Sequence, residues 1–177
     1  MLKIIGIVAV VLVVAVAAVL VYAATKPDTF RVTRSTSIEA PPEKVFALIN
    51  DFRSWGVWSP YEKLDPNLKR TYEGPASGKG AVYSWEGNKA GAGRMEILDA
   101  PAPLRVTIKL DFTKPFQAHN TAEFTMVPQG DTTNVTWAMF GPNVFIGKVM
   151  STFMSIDKMV GKDFEAGLAN LKTAAEK

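Results

Sequence analysis

The sequence predicts an α+β domain that follows one transmembrane helix. Three patterns support this fold class: the first 25 residues are almost wholly apolar, residues 30–140 contain about seven segments of alternating apolar and polar residues, and from residue 144 the apolar residues recur every three to four positions. Alternation with a period of two is typical of half-buried strands, whereas the longer period indicates a helix. An antiparallel sheet with helices on one face is a two-layer α+β domain.

The apolar segment at the start of the chain, Ile4 to Thr25, carries no charge. As a helix it would be roughly 33 Å long, which is enough for a hydrocarbon core of about 30 Å. We therefore predict a transmembrane anchor at residues 1–25, a linker at residues 26–29 and one domain at residues 30–177.

A cleaved signal peptide is the alternative to a retained anchor. Val21-Tyr22-Ala23 places small residues at a spacing that suits cleavage. The apolar stretch is longer than the roughly 7–15 residues of a secretory signal, however, and this favours the anchor.

The charges beside the segment leave its orientation open. Lys3 precedes it, and Lys26, Arg31 and Arg34 follow it, so a count of positive charges places the domain in the cytoplasm. A short N-terminal tail before a long domain often stays inside instead, and long domains cross the membrane largely regardless of charge. We favour a domain outside the cytoplasm.

The composition excludes several classes of protein. The chain has 20 basic and 17 acidic residues, a net charge of +3 and no cysteine. Disulfides, thiolate nucleophiles and cysteine-bound metals are therefore absent. Both signs of charge are interspersed after residue 30, so no basic patch for nucleic acid is expected.

Two segments show the strand pattern most clearly. Phe30 to Ile38 alternates and is followed by Ala40-Pro41-Pro42-Glu43-Lys44, which ends the strand and starts a helix. Residues 104–112 alternate without a break. Further strands are predicted at residues 68–73, 80–86, 93–99, 118–127 and 133–140.

Two further helices are predicted. Residues 52–61 form a short amphipathic helix that ends at Pro60, with Trp55, Trp58 and Tyr61 spaced by three. The long C-terminal helix is expected to have Asn143 as its N-cap and to bend near Gly161.

This order of elements resembles the START-related, polyketide cyclase/dehydrase superfamily (SRPBCC), and in particular its membrane-anchored bacterial members. The resemblance covers residues 30–175 and begins with Ile38-Glu-Ala-Pro-Pro-Glu-Lys-Val-Phe46 after the first strand. It is also carried by Asn50-Asp-Phe-Arg-Ser-Trp55, Trp58-Ser-Pro-Tyr-Glu62, Tyr83-Ser-Trp-Glu-Gly-Asn88, Gly91-Ala-Gly-Arg-Met95 and Gly167-Leu-Ala-Asn-Leu-Lys172. It implies the helix-grip fold, in which a curved sheet wraps around a long C-terminal helix. The resemblance also implies a cavity between the sheet and this helix, which relatives use for lipids, polyketides or hydrophobic hormones.

Large apolar side chains are the candidates for the wall of such a cavity. Aromatic rings supply much contact area, and methionine adapts to varied ligand shapes. Plain core packing is the alternative role for each. The predicted cavity residues are Trp55, Trp58, Trp85, Phe112, Phe124, Trp137, Met139, Met150, Phe153 and Met154.

Evidence for catalysis is weak. His119 is the only histidine, and no nucleophile or orienting acid stands in a motif beside it. Glu86 is placed in the cavity if Val82 and Ser84 point inward, although an ion pair with Arg94 or Lys89 competes with that position. No metal site and no cofactor are predicted, because one histidine without cysteine lacks zinc-ligand spacing.

We therefore expect a membrane-tethered domain that binds a lipid or another hydrophobic small molecule. One alternative is an enzyme of the cyclase, dehydrase or hydrolase type that uses Glu86, Glu96 or His119 in the cavity. Another is a protein-interaction or stress-response module, which would expose an apolar patch rather than enclose a pocket.

Overall fold

The computed structural model describes residues 2–177, as one sheet with helices before it, after its first strand and after its last strand. The helices are α1 (Leu2–Ala24), α2 (Pro42–Asn50), α3 (Trp55–Trp58), α4 (Phe145–Phe153) and α5 (Ile156–Ala175), with 3-10 turns at Phe52–Ser54 and Pro60–Lys63. The strands are β1 (Thr29–Ile38), β2 (Lys69–Glu73), β3 (Val82–Gly87), β4 (Gly91–Asp99), β5 (Arg105–Lys114), β6 (Ala118–Gln129) and β7 (Thr132–Pro142).

The seven strands form one curved antiparallel sheet in the order β1-β7-β6-β5-β4-β3-β2. After β1 the chain crosses to the opposite edge through α2 and α3, and it then returns strand by strand to pair β7 with β1. The predicted α+β helix-grip fold is confirmed. The N-terminal apolar helix is also present, and Lys3–Ala24 is long and apolar enough for a membrane span or a signal sequence.

The register defines two ends of the sheet. Thr29, the first residue of β1, pairs with Pro142 at the end of β7. The β3–β4 and β5–β6 turns lie at this same end, which we call the anchor end because α1 leads into it. The β6–β7 turn lies at the opposite, distal end.

The core lies between the concave face of the sheet and α5. Phe164, Leu168 and Leu171 of α5 are buried against Phe124 of β6 and Trp137 of β7. Trp137 stacks on Phe164 with ring centroids 3.9 Å apart. Burial of each such side chain contributes about 1.5–3 kcal/mol.

The C-terminal helical stretch, which was predicted as one helix, is broken at Met154–Ser155. Met154 has an extended backbone, and the Ser155 hydroxyl accepts a hydrogen bond of 3.2 Å from the Lys158 amide, which caps α5. The prediction of a single long helix is therefore wrong, and Gly161, where a bend was predicted, lies within the continuous helix α5. Apolar spacing continues across the break, so periodicity alone did not reveal it.

Asn143 is not the N-cap of α4 either. Val144 occupies that position and makes no side-chain cap hydrogen bond. The Asn143 side chain instead donates to the Pro27 carbonyl at 3.1 Å, and the Asn143 amide donates to the Asp28 carbonyl at 2.7 Å. This residue thus holds the linker rather than the helix.

Residues 52–61 do not form a single helix. A 3-10 turn, the four-residue α3 and a second 3-10 turn follow one another, because Pro60 has no amide hydrogen to continue α3. The Trp55 indole donates to the Ile49 carbonyl at 2.9 Å, and the Trp58 indole donates to the Leu48 carbonyl at 3.0 Å. The two indoles thus satisfy carbonyls in the last turn of α2, which fixes this segment beneath α2.

Gly161 allows Arg34 of β1 to cross over α5. The Arg34 guanidinium bonds Asp157 at 2.9 Å and Glu165 at 2.7 Å, one turn before and one turn after the glycine. A Cβ atom at position 161 would collide with the guanidinium. The glycine therefore lets β1 hold α5 at close range.

Asp65 ties the loop before β2 to the β3–β4 turn. Its carboxylate accepts hydrogen bonds from the Lys89 amide at 2.9 Å and the Asn67 amide at 3.0 Å. These amides, that of Lys89 first, hold the pKa of Asp65 below its ordinary value. Gly87 leaves room for the carboxylate, since a Cβ atom there would lie 2.6 Å from it.

We expect Gly161→Ala to destabilise the chain by about 1–3 kcal/mol, because the added methyl displaces Arg34 in a packed interface. The matched control is Gly56→Ala in α3, where a Cβ atom meets nothing within 4 Å. There alanine should be neutral or stabilising by up to about 1 kcal/mol. Urea unfolding of the full chain in detergent, followed by near-ultraviolet circular dichroism, measures both. Equal effects of the two substitutions would contradict this account.

We expect Asp65→Asn to lower the urea midpoint at pH 7, because an amide cannot accept from both backbone amides as the carboxylate does. A lowered folded-state pKa means that the stabilisation is complete above the unfolded-state pKa and is lost as the pH falls through the folded-state value. The gap to wild type should therefore shrink below about pH 4. Asp131→Asn in the exposed β6–β7 turn is the control and should show no gap at either pH; a gap for Asp65→Asn that is independent of pH would refute the charge-based explanation.

Candidate functional site

A cavity of about 270 Å³ lies between the concave face of the sheet, the first turns of α5 and the 3-10 turn at Pro60–Lys63. This volume is just below the roughly 300–1,000 Å³ of small-molecule sites. Its wall is mostly apolar and comprises Trp55, Leu64, Leu68, Trp85, Ala90, Met95, Leu110, Phe112, Ala122, Trp137, Met139, Met159, Val160 and Phe164. Leu64 and Met159 are exposed, so the cavity opens between α5 and the segment before β2.

The indole of Trp85 forms one side of the cavity because its cross-strand partner on β4 is Gly93. A Cβ atom at Gly93 would collide with the indole and would lie 2.5 Å from the Asp111 carbonyl. The glycine thus lets the ring lie across the sheet and meet Phe112 edge to face, with centroids 5.7 Å apart. The Trp85 indole N–H donates to the Ala90 carbonyl at 3.2 Å, which fixes the ring at the anchor end.

Tyr83, Glu62 and Arg70 form a linked polar group beside the cavity. The Tyr83 hydroxyl donates to Glu62 Oε1 at 2.5 Å, and Arg70 Nε donates to Glu62 Oε2 at 2.6 Å. Burial, and then the neighbouring carboxylate, raises the pKa of Tyr83 far above its ordinary value. The phenol therefore stays neutral, and both oxygens of the carboxylate are engaged by protein groups.

A second tyrosine, Tyr61, lies on the cavity wall near Asp163 of α5. Burial first, and the charge of Asp163 second, raises the pKa of Tyr61 far above its ordinary value. At neutral pH the phenol is therefore a hydrogen-bond donor.

Two buried polar atoms on the wall have no hydrogen-bond partner within residues 2–177. They are the Ser59 hydroxyl oxygen and the Trp137 indole nitrogen. A buried donor or acceptor without a partner is costly, by about 1–3 kcal/mol, so such groups call for an explanation. An indole N–H can only donate, and its complement is an oxygen or nitrogen acceptor.

The structure brings together half of the predicted cavity residues. Those on the wall are Trp55, Trp85, Phe112, Trp137 and Met139. Trp58 and Phe124 are fully buried behind the wall, where Trp58 meets the Phe124 ring edge to face at 5.9 Å. These two residues shape the cavity from behind without lining it.

The predicted positions of Met150, Phe153 and Met154 in the cavity are wrong. All three are exposed, Phe153 at 70%. Met150 and Phe153 belong to α4, which packs against α1 rather than over the sheet, and Met154 lies in the break after α4. The helix that covers the cavity is α5, which contributes Met159, Val160 and Phe164.

The weak catalytic candidates lie outside the cavity. Tyr83 and Trp85 point inward on β3, so Glu86 points outward, where it binds Lys114 at 2.7 Å. The prediction of Glu86 in the cavity is therefore wrong, and its partner is neither Arg94 nor Lys89. Two further candidates also lie on the outer face: His119, 73% exposed, contacts Asp111 at 2.7 Å, and Glu96 contacts Arg94 at 2.8 Å.

Several wall residues were not predicted from the sequence, although strand alternation could have identified three of them. Tyr83, Leu110 and Ala122 each lie two positions before a residue that was predicted in the cavity, and therefore share its face. Tyr61 and Glu62 lie in a 3-10 turn, where no simple period applies. Within residues 2–177 no three histidine or carboxylate side chains are grouped to hold a metal ion.

A family model described as "Polyketide cyclase / dehydrase and lipid transport" matches residues 29–176. No curated protein sequence matches the chain.

Solved structures share the fold at low sequence identity. Protein CV1439 from Chromobacterium violaceum is 14% identical over 86% of this chain and 99% of its own, with a TM-score of 0.59. The di-domain ARO/CYC BexL from the BE-7585A biosynthetic pathway is 15% identical over 88% of this chain, with a TM-score of 0.63, and the match spans 53% of BexL. The Aha1 dimer from Colwellia psychrerythraea is 16% identical over 83% of this chain and 96% of its own, with a TM-score of 0.56.

Identities this low show a common fold and nothing finer. The family model, in contrast, covers most of the chain, from the first strand to the end of α5. The resemblance noted in the sequence is thereby confirmed, and the chain belongs to the polyketide cyclase/dehydrase and lipid transport family of the SRPBCC superfamily.

Proposed function

We propose that the chain is a membrane-tethered domain that binds a lipid or another hydrophobic small molecule in the cavity between the sheet and α5. The observation that carries this proposal is the cavity itself, which is about 270 Å³ in volume and has a mainly aromatic and aliphatic wall. Apolar wall atoms that face empty space lack the dispersion contacts of a packed core, and an apolar ligand would supply them.

The polar groups of the wall favour an amphiphilic ligand over a pure hydrocarbon. Glu62 is already engaged by Tyr83 and Arg70, so it offers little to a ligand. Tyr61 and Asp163 lie together on the wall, where the protonated phenol and the carboxylate provide a donor and an acceptor. A ligand with one oxygen-bearing end and an apolar body matches this distribution.

The apolar helix α1 supports a ligand of membrane origin. Its residues between Ile4 and Val16 are largely exposed, so it does not contribute to the domain core. An attached domain stays close to the bilayer, where lipids and other apolar molecules are concentrated.

A second candidate function is a cyclase- or dehydrase-like reaction on the bound molecule. The observation that favours it is Tyr61 beside Asp163 on the cavity wall, a donor and a carboxylate at one place. If the chain catalyses such a reaction, the double substitution Tyr61→Phe and Asp163→Asn should retain binding but stop conversion of the ligand. Mass spectra of the bound molecule before and after incubation distinguish the two functions, since a binding protein leaves its ligand unchanged.

We expect native mass spectrometry of the full chain, extracted from membranes in detergent, to show a retained small-molecule adduct. Ala122→Phe adds a ring to the cavity wall and should reduce the adduct at least about tenfold, because the ring occupies the ligand volume. Ala47→Phe on the exposed face of α2 is the matched control and should leave the adduct unchanged.

Ala90→Trp adds bulk to the cavity wall at a half-buried turn position and provides a second test that does not depend on repacking the core. Circular dichroism checks that each variant is folded. An adduct that persists in both folded cavity variants, or is lost equally in Ala47→Phe, would refute binding in this cavity.

A further inference from the structure

Helix α4 has an inverted distribution of apolar and polar residues. Ile146, Met150 and Phe153, spaced by four and three, lie on one face and are 53%, 39% and 70% exposed. Lys148, the one charged residue within Phe145–Phe153, is buried, and Ser151 and Thr152 beside it are half-buried. A helix at a water-exposed surface has the opposite arrangement, with its apolar stripe inward. The outer face of α4 is thus suited to an apolar medium.

The inward side of α4 is held by the linker. Lys148 Nζ bonds Asp28 at 2.6 Å, and both bonds donated by Asn143 end on carbonyls of Pro27 and Asp28. The linker is therefore docked on the start of α4. Because these contacts fix where α1 ends relative to α4, the two helices have a defined joint.

Helix α4 is also in direct contact with α1. Ala23 of α1 is fully buried in this region, while residues earlier in α1 are exposed and apolar. The exposed face of α4, extended by Phe145 and Met154, therefore continues the apolar surface of the membrane-anchor helix. An apolar medium around α1, such as a bilayer, would therefore also contact α4 near the C-terminal end of α1.

We propose that α4 lies in the headgroup and upper acyl region of the bilayer that α1 spans, as a second membrane contact of this chain. Its occupant is a phospholipid surface, and the exposed face of Ile146, Met150 and Phe153 is the part that enters it. In-plane amphipathic helices bury their apolar face about 5–10 Å into this boundary. The contact rests on the proposed tethering of the chain by α1 and on the exposed face of α4, and not on a ligand in the cavity.

Other groups at the anchor end of the sheet match a lipid surface. Phe116 in the β5–β6 turn is 59% exposed. Lys69, Lys89 and Lys114 are exposed around the β3–β4 turn at the same end. Lys114 is paired with Glu86, but the group keeps a net positive charge, which lipid phosphates attract. The distal end of the sheet also has exposed apolar residues, such as Leu104 and Val127, which lie away from α1 and α4.

The absence of cysteine in the chain allows a clean test with single-cysteine variants. Met150→Cys and Phe153→Cys probe the face of α4, and Leu104→Cys and Val127→Cys are controls of similar exposure at the distal end. Each full-length variant is reconstituted in phosphatidylcholine nanodiscs, which leave both membrane faces accessible, at one chain per disc. The rate of reaction with a water-soluble fluorescein maleimide is measured and normalised to the rate after denaturation.

We expect the α4 cysteines to react at least about tenfold more slowly than the controls, because the thiol is removed from water within the bilayer boundary. An environment-sensitive fluorophore on the same cysteines should be quenched by brominated acyl chains, whereas the control positions should not. All four positions are on the surface, so folding does not depend on the native side chains.

Two outcomes would overturn the proposal. Equal rates at all four positions would show that α4 faces water in the lipid-bound state. Protection that appears only in discs loaded with two chains would make a second copy of the chain the occupant of this face. Neither outcome bears on cavity binding, which native mass spectrometry tests separately.

Discussion

The contact between Trp137 of β7 and Phe164 of α5 determines how the rest of the domain is arranged. The two rings stack at 3.9 Å, and Gly167 lets α5 approach, since a Cβ atom there would lie 2.8 Å from the Trp137 ring and 3.0 Å from Pro60. On the β1 side, Arg34 holds α5 across Gly161. Helix α5 is therefore close to β7 and β1, and the sheet curves away from it toward β3. The cavity is the space that this one-sided contact leaves open.

The aromatic rings on the far side of the cavity prevent the sheet from closing onto α5. Tyr83, Trp85 and Phe112 form a continuous set of rings, with Tyr83 and Trp85 stacked at 6.0 Å. Their partners in the sheet, above all Gly93, let them lie flat. A wall built of large, mutually packed rings resists collapse, so the space on this side of the domain persists.

Strand alternation predicted much of the wall, but it required a choice of face that the sequence alone did not settle on β3. Trp85 and Glu86 are adjacent, so only one of them can face the cavity. The sequence offered both Trp85 and Glu86 as cavity residues. In the structure Trp85 faces the cavity, because Gly93 has no side chain and leaves room for the indole on the sheet. The pairing of position 85 with position 93 depends on register across a turn, which is not visible in either strand separately.

The cavity positions assigned to Met150, Phe153 and Met154 failed for a different reason. Apolar spacing of three to four shows that a helix is amphipathic, but it does not show which medium its apolar face meets. Residues 145–160 read as one stripe, whereas in the structure the chain breaks at Ser155 and the two parts face different surroundings. The signals that could have separated them were Lys148, which is out of place on a helix facing a core, and Ser155 as a cap for α5.

The joint between α1 and the domain fixes the orientation of α4, and therefore of α5 and the cavity, relative to α1. A flexible linker would let the domain turn freely, and the exposed side of α4 would then meet water for much of the time. Three hydrogen bonds of 2.6–3.1 Å, made by Asp28, Asn143 and Lys148, restrict this rotation. The direction of α1 therefore also sets the direction of α4. Only two residues separate α4 from α5, and Met159 in the first turn of α5 lies at the edge of the cavity. A bilayer contact at α4 would therefore bring the cavity opening toward lipid. An apolar ligand could then pass between bilayer and cavity with little of its surface exposed to water, which is the step that hydration makes slow for a free lipid.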